Sequence, residues 1–317
     1  MDRIDSAVLL FTDFSNKLLL MKSWVKAAGL VVAVSVSTAL GMQWPDNPDP
    51  SVPKLPNGQV NYEAPAPRMA DGKPDLSGVW NLGRGAGGGG GNRGQQAAGG
   101  AGRGAGGAAP AAAGAPTPEG DGIPTATFFE IAGRGFAVPY TPWAKELRDK
   151  RAAANAKDNP DAHCLPIGLT QMHMHPQPRK IIQTPKVIVM LYEAQGGVRQ
   201  IFLDGRKLPN NDPQPWWYGY SIGHWEGDTL VVETTGFRDD VWLDVNGSPL
   251  TSTGKMTERM RRVNYGTLET LVTIEDPKAY TKPFTVRIMH RIMPDTELIE
   301  FICNENEQSS QHYDKDK

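Results

Sequence analysis

The chain has 317 residues, of which 33 are Lys or Arg and 35 are Asp or Glu, giving a formal net charge of −2. This balance excludes a protein that binds nucleic acid mainly through its phosphates, because such a protein carries a large basic excess. Hydrophobic residues make up 39% of the chain, enough for a folded core. The 35 glycines and 26 prolines indicate low-complexity stretches beside that core.

Residues 21–41 have the layout of a secretory signal peptide. Lys22 and Lys26 precede an apolar run that ends in the small residues Ala39 and Gly41. The run is too short for a membrane span of about 20 residues, although an uncleaved anchor is the alternative. We therefore expect a periplasmic or secreted protein with no membrane attachment after cleavage. Translation would then start at Met21, and residues 1–20 would be a start-site error.

The two cysteines, Cys164 and Cys303, agree with export. In an oxidising compartment they are expected to form one disulfide. The bond would close a loop of roughly 140 residues and stabilise the fold by at most about 5 kcal/mol. A catalytic thiol at Cys164, beside His163, is the alternative.

The remaining chain divides by composition. Residues 42–75 are predicted to be an extended Pro-rich arm and residues 76–82 a short strand. Residues 83–122 form a Gly/Ala-rich insertion that is expected to be disordered. A β-rich domain follows at 123–307, with one helix at 142–155 that Thr141 caps and Pro142 begins. Residues 308–317 are a tail.

Four hairpins are predicted between residues 180 and 303. The first three turn at Gly196-Gly197, Gly227-Asp228 and Asn264-Tyr265-Gly266, and the fourth turns near Pro294-Asp295 with 297–302 as its second strand. Consecutive antiparallel strands of this number close on themselves and so remove their edges. The fold class is therefore all-β, an antiparallel meander closing into a lipocalin-like β-barrel, with a curved sandwich as the alternative.

Several motifs together resemble a family of exported proteins of soil bacteria of the acidobacterial type. They are 70–80 (ADGKPDLSGVW), 163–166 (HCLP), 225–234 (WEGDTLVVET), 275–283 (EDPKAYTKP) and 303–306 (CNEN). The likeness covers most of the chain from Ala70 onward except the insertion. The resemblance implies export and assigns no catalytic residue.

The segment Met172-His173-Met174-His175 is the first candidate site. If it is extended, His173 and His175 point to one face and can chelate one metal ion, with His163 completing a three-histidine set. Imidazole and thioether ligands suit copper, and zinc is the other candidate cofactor. The alternatives are a loop whose histidines are incidental, and contacts to a substrate.

Two histidine–glutamate pairs are candidate acid–base units. A two-residue turn at Gly227-Asp228 places His224 and Glu233 as diagonal neighbours on one face of a hairpin. The fourth predicted hairpin would bring His290 near Glu300. The alternatives are a solvated His224–Glu233 pair and a His290 buried in the core.

Aromatic and basic runs are the last candidates. Trp216, Trp217, Tyr218 and Tyr220 stand beside a polar loop and are predicted to stack on a ligand at the barrel mouth, unless one of them turns into the core. Arg259, Arg261 and Arg262 follow Glu258 and are expected to form surface ion pairs, with an anion site as the alternative.

Three functions follow from these features. The first is a barrel that binds a small apolar or saccharide ligand. The second is a periplasmic lyase or hydrolase that uses one of the histidine–glutamate pairs. The third is a copper or zinc protein built on the Met-His-Met-His segment. A small molecule is the expected partner, nucleic acid is not, and the oligomeric state is not determined by the sequence.

Overall fold

The structure is a computed structural model that describes residues 49–83, 121–133, 135–209, 215–294 and 296–305. Four predicted segments lie wholly or mostly outside these ranges: the early start (1–20), the signal peptide (21–41), the Gly/Ala-rich insertion (83–122) and the tail (308–317). None of the helices in the described ranges has the length and hydropathy needed to cross a membrane.

Nine strands close into a barrel, which confirms the predicted all-β fold and decides for the barrel over the sandwich. The barrel strands are β1 (Gly78–Leu82), β2 (Arg179–Gln183), β3 (Val187–Tyr192), β4 (Val198–Phe202), β5 (Tyr220–Glu226), β6 (Thr229–Thr235), β9 (Lys255–Asn264), β10 (Thr267–Glu275) and β11 (Phe284–Ile292). Their order around the barrel is β1-β11-β10-β9-β6-β5-β4-β3-β2. The short strands β7 (Val241–Trp242) and β8 (Pro249–Leu250) pair separately between β6 and β9.

Three of the four predicted hairpins are present: β3–β4, β5–β6 and β9–β10. In β5–β6 the turn at Gly227-Asp228 pairs Glu226 with Thr229 and His224 with Val231, as predicted. A two-residue turn fixes the register of both strands, so the inward and outward faces follow from the turn alone.

The prediction of the fourth hairpin is wrong. Residues 296–302 form no strand, and the free edge of β11 is taken by β1, with Trp80 opposite Ile292. The other edge of β1 pairs with β2, so this short N-terminal strand closes the barrel. The strand order also departs from the predicted antiparallel meander at one further place. Strands β4 and β5 run parallel, and only two residue pairs join them.

The barrel has two differently covered ends. Helix α1 (Pro142–Ala153), capped by Thr141 as predicted, packs at the end that holds the β10–β11 connection, and Ala144 is its buried residue. The arm 49–75 passes the opposite end, where Arg68 pairs with Asp228 of the β5–β6 turn. We refer to these as the α1 end and the arm end.

Two hydrophobic clusters fill the barrel. The cluster at the α1 end includes Val286 and Ile288 of β11, and the cluster at the arm end includes Met260 of β9 and Leu268 of β10. Alternate residues of every long strand point inward, so each strand contributes to these layers. Between the two layers the inward-facing residues are polar.

Candidate functional site

Helix α2 (Leu169–Met174) lies inside the barrel. All six of its residues are buried, with Leu169 and Met174 in the α1-end cluster and Met172 in the arm-end cluster. The extended conformation on which the shared face of His173 and His175 depended is therefore not present. A helix of this length is not stable in water, so packing inside the barrel holds it in place.

A belt of polar side chains surrounds α2. Eight of the nine barrel strands each contribute one buried residue with a polar side chain to it. They are Arg179 (β2), Tyr192 (β3), Arg199 (β4), Ser221 (β5), Thr234 (β6), Glu258 (β9), Thr270 (β10) and His290 (β11).

Glu258 accepts hydrogen bonds from both sides of the interior. Its Oε1 lies 2.9 Å from His173 Nε2 and 3.2 Å from Arg199 Nη1, and its Oε2 accepts from Arg199 Nη2. Arg199 also donates to Ser221 and Thr234. This network ties α2 to strands β4, β5, β6 and β9.

The protonation states follow from these contacts. Burial opposes ionisation of Glu258, but Arg199 and His173 together lower its pKa to about 2. Burial also lowers the pKa of His173 to about 4, although Glu258 acts in the opposite direction. At neutral pH His173 is therefore neutral and donates through Nε2, which leaves Nδ1 as an acceptor.

Arg179 donates to this acceptor. Its Nη1 lies 3.1 Å from His173 Nδ1 and its Nη2 lies 2.6 Å from the carbonyl oxygen of His173. Burial lowers the pKa of Arg179 to about 10, which still leaves the guanidinium charged at neutral pH. Both ring nitrogens of His173 are thus occupied, so this imidazole has no free position from which to exchange a proton with a substrate.

His290 donates to the same backbone carbonyl. Its Nε2 lies 2.9 Å from His173 O, and burial holds its pKa well below the ordinary value, with Arg179 acting in the same direction. His290 is therefore neutral, with Nε2 as its donor and Nδ1 as an acceptor.

Several buried polar atoms around α2 have no hydrogen-bond partner among the described residues. They are Gln171 Oε1 and Nε2, Arg179 Nε, Tyr218 Oη, Thr270 Oγ1 and His290 Nδ1. The side chains of Gln171, Arg179, Thr270 and His290 are at most 2% exposed. Together these atoms include donors, acceptors and groups that can act as either.

The three predicted metal ligands are not brought together. His163 is exposed and contacts the carbonyl oxygen of Lys157 at 2.8 Å. His175 Nε2 lies 3.5 Å from Asp161 Oδ2, whereas His173 is bonded to Glu258. In the described part of the chain, no group of three or more His, Cys, Asp or Glu side chains is placed to hold a metal ion.

The two predicted acid–base pairs are not formed either. His224 is 58% exposed on the outside of β5 and contacts Glu226, while Glu233 pairs with Lys255. His290 is buried inside the barrel and Glu300 is exposed beyond β11. The hairpin that was to join His290 and Glu300 is the one that does not form.

The four predicted aromatic ligand residues separate by face. Trp216 and Tyr220 lie on the outside, with ring centroids 5.5 Å apart, and Tyr220 stacks on Phe202 of β4. The Trp217 ring lies under the Arg238 guanidinium. Tyr218 turns inward and packs 6.0 Å from Tyr192, so one of the adjacent aromatics points to the core.

The predicted disulfide Cys164–Cys303 is present. Cys164 lies in the connection that precedes α2, and Cys303 lies in the C-terminal segment after β11. Cys164 is therefore not a free thiol, and the alternative of a catalytic cysteine is excluded by this pairing.

The belt does not follow from the sequence because its residues, apart from His290, were assigned to the surface or left unassigned. Glu258 was grouped with the charged run, of which Arg259 and Arg261 are indeed exposed and Arg262 is buried. A usable signal was present, since Glu258 alternates with Met256 and Met260 and so shares their inward face.

No protein-family model, curated protein or solved structure matches this chain. Its function must therefore be inferred from the chemistry of the interior.

Proposed function

We propose that this protein is an exported binding barrel that holds one small polar molecule, of the saccharide class, against the belt and α2. The observation that carries the proposal is the set of unpartnered buried polar atoms on Gln171, Arg179, Thr270 and His290.

These atoms make the interior unfavourable when nothing pairs with them. A buried polar atom without a partner costs about 1–3 kcal/mol, and native proteins leave very few of them. Both polar atoms of the Gln171 amide lack a hydrogen-bond partner among the described residues. A bound molecule that supplies the missing partners would recover this free energy, as ordered water would in part.

The chemistry of the atoms favours a polyhydroxylated ligand over an apolar one. Arg179 Nε offers a donor, His290 Nδ1 offers an acceptor, and the Gln171 amide offers both. A sugar hydroxyl donates and accepts at once, so neighbouring hydroxyls can satisfy such a mixed set. An apolar ligand would leave every one of these atoms unpaired.

Two further observations support export. The Cys164–Cys303 disulfide is of the kind that persists in oxidising compartments. The segment 21–41 carries the layout of a signal peptide.

Native mass spectrometry of the protein purified from the exported fraction of a host tests the proposal. We expect an organic adduct on the folded chain that is released on denaturation and identified as a polyhydroxylated compound. A bare chain at its calculated mass, together with no change in Tm across a panel of neutral and acidic mono- and disaccharides, would overturn it.

A matched pair of variants places the adduct in the interior. Gln171→Leu removes both unpartnered atoms, and we expect loss of the adduct with an unchanged or higher Tm of the bare chain. Gln200→Leu makes the same change on the exposed face of β4 and should retain the adduct. An adduct that persists in Gln171→Leu would contradict a site at the belt.

A further inference from the structure

The charges inside the barrel do not cancel. Glu258 and Arg199 form a buried ion pair, and burial leaves His173 and His290 neutral. Arg179 is the second buried guanidinium, 1% exposed. The belt and α2 therefore carry one excess positive charge.

The partners of Arg179 are neutral. Its Nη1 and Nη2 donate to the ring and the carbonyl of His173, and its Nε has no partner among the described residues. No ion pair between Arg179 and a carboxylate is present in the described ranges. A buried unpaired charge costs several kcal/mol, and proteins bury one where a charge of opposite sign compensates it.

We infer that the molecule held by the belt carries a single carboxylate, placed against Arg179 Nε. This inference rests on the proposed binding function and adds the charge of the ligand to it. A hydrogen bond between a guanidinium and a carboxylate is about twice as strong as a neutral one, so the charge would dominate affinity.

His290 adds a second requirement on the ligand. Its Nδ1 is a buried acceptor, two covalent bonds from the Nε2 atom that contacts His173 O. Arg179 Nε is likewise two bonds from Nη2, which contacts the same oxygen. A lone pair does not bind a carboxylate oxygen, so a hydroxyl donor must stand beside the carboxylate. A hydroxycarboxylic acid, such as a sugar acid, carries both groups.

Matched acid and amide pairs test the inference on the wild-type protein. Isothermal titration would compare D-glucuronate with D-glucuronamide, D-gluconate with D-gluconamide and L-lactate with L-lactamide. We expect at least one acid to bind, and to bind at least tenfold more tightly than its amide. Equal binding of acid and amide would overturn the carboxylate inference and leave the binding function intact, as would binding of neutral sugars with no binding of any acid. No binding by any acid, amide or neutral sugar would overturn both.

Variants at Arg179 identify the charge responsible. Arg179→Gln should abolish the preference for the acid, whereas Arg179→Lys, which keeps the charge, should retain part of it. Arg206→Gln, on the exposed loop after β4, should leave the preference unchanged. If Arg179→Gln does not fold, Arg179→Lys and the ligand pairs on the wild type still decide the question. A preference that is unchanged in Arg179→Lys and Arg179→Gln alike would place the anion elsewhere.

Discussion

Glu258 is the residue on which the interior hydrogen bonds converge. It accepts from Arg199 on one side and from His173 of α2 on the other, and all three side chains are buried. Removing one partner of a buried ion pair leaves an uncompensated charge, and this costs more than the pair itself contributes.

Glu258→Gln should therefore lower the free energy of unfolding by about 3–5 kcal/mol, because Arg199 keeps its charge without a counterion. Urea denaturation measures the loss. Glu233→Gln is the matched control, since Glu233 pairs with Lys255 on the outside of the barrel and such a pair contributes about 0–1 kcal/mol. Equal losses in the two variants would show that the interior pair has no special role.

At the residue scale the sequence predicts exposed positions better than buried polar ones. His224 was expected to be solvated if it did not act with Glu233, and it is exposed. No prediction of burial was made for Arg199, and Glu258 was grouped with a run expected at the surface, because charged residues on strands are usually solvated. Arg199 and Glu258 can be buried because they pair with each other, although they are 59 residues apart along the chain. A local sequence pattern cannot predict such a pair.

At the scale of elements, the predictable parts are those fixed by neighbours in sequence. The turns at Gly196-Gly197 and Gly227-Asp228 predict hairpins, and the second turn also predicts the correct register. Helix α1 follows from Thr141 and Pro142. Helix α2 does not follow, because Met172 to His175 alternate in polarity like a strand and the segment becomes helical only inside the barrel. The pairing of β1 with β11 is also non-local, so the alternation of 297–302 was wrongly assigned to that edge.

The disulfide joins the segment before α2 to the C-terminal segment. Cys164 precedes α2 and is bonded to Cys303, 139 residues away in sequence. The double variant Cys164→Ser/Cys303→Ser should lower the free energy of unfolding by up to about 5 kcal/mol, because the unfolded chain regains the entropy of a long loop. Urea denaturation under oxidising conditions measures it, and the wild type in excess dithiothreitol should match the variant. A loss below about 1 kcal/mol would contradict this account.

For the whole molecule, the neutral interior histidines predict destabilisation by acid. The folded-state pKa values of His173 and His290 lie below their ordinary value of 6.5, so the unfolded chain binds more protons as the pH falls below it. Stability is then complete above pH 6.5 and is lost as the pH falls towards 4. Each histidine contributes up to about 1.4 kcal/mol per pH unit in this range. Glu258, with a pKa of about 2 against an ordinary 4.5, adds a further loss below pH 4.5.

Urea denaturation at several pH values between 4 and 7 measures this slope. His290→Gln keeps a donor for His173 O and removes one titrating group, so the slope should fall by roughly half. His224→Gln, on the exposed face of β5, should leave the slope unchanged. An unchanged slope in His290→Gln would mean that His290 is not held neutral in the folded state.

The closing strand β1 has a consequence for how the interior is filled. It pairs with β2 on one side and with β11 on the other, and residues 80 and 292 face each other across that second seam. Contacts so distant in sequence form late when a chain folds. Until they form, water and solutes still reach the belt; afterwards its atoms are sealed from solvent. Solutes therefore enter freely while the protein folds, and in the folded protein they exchange only when the barrel opens locally, so titrations must allow time for that opening.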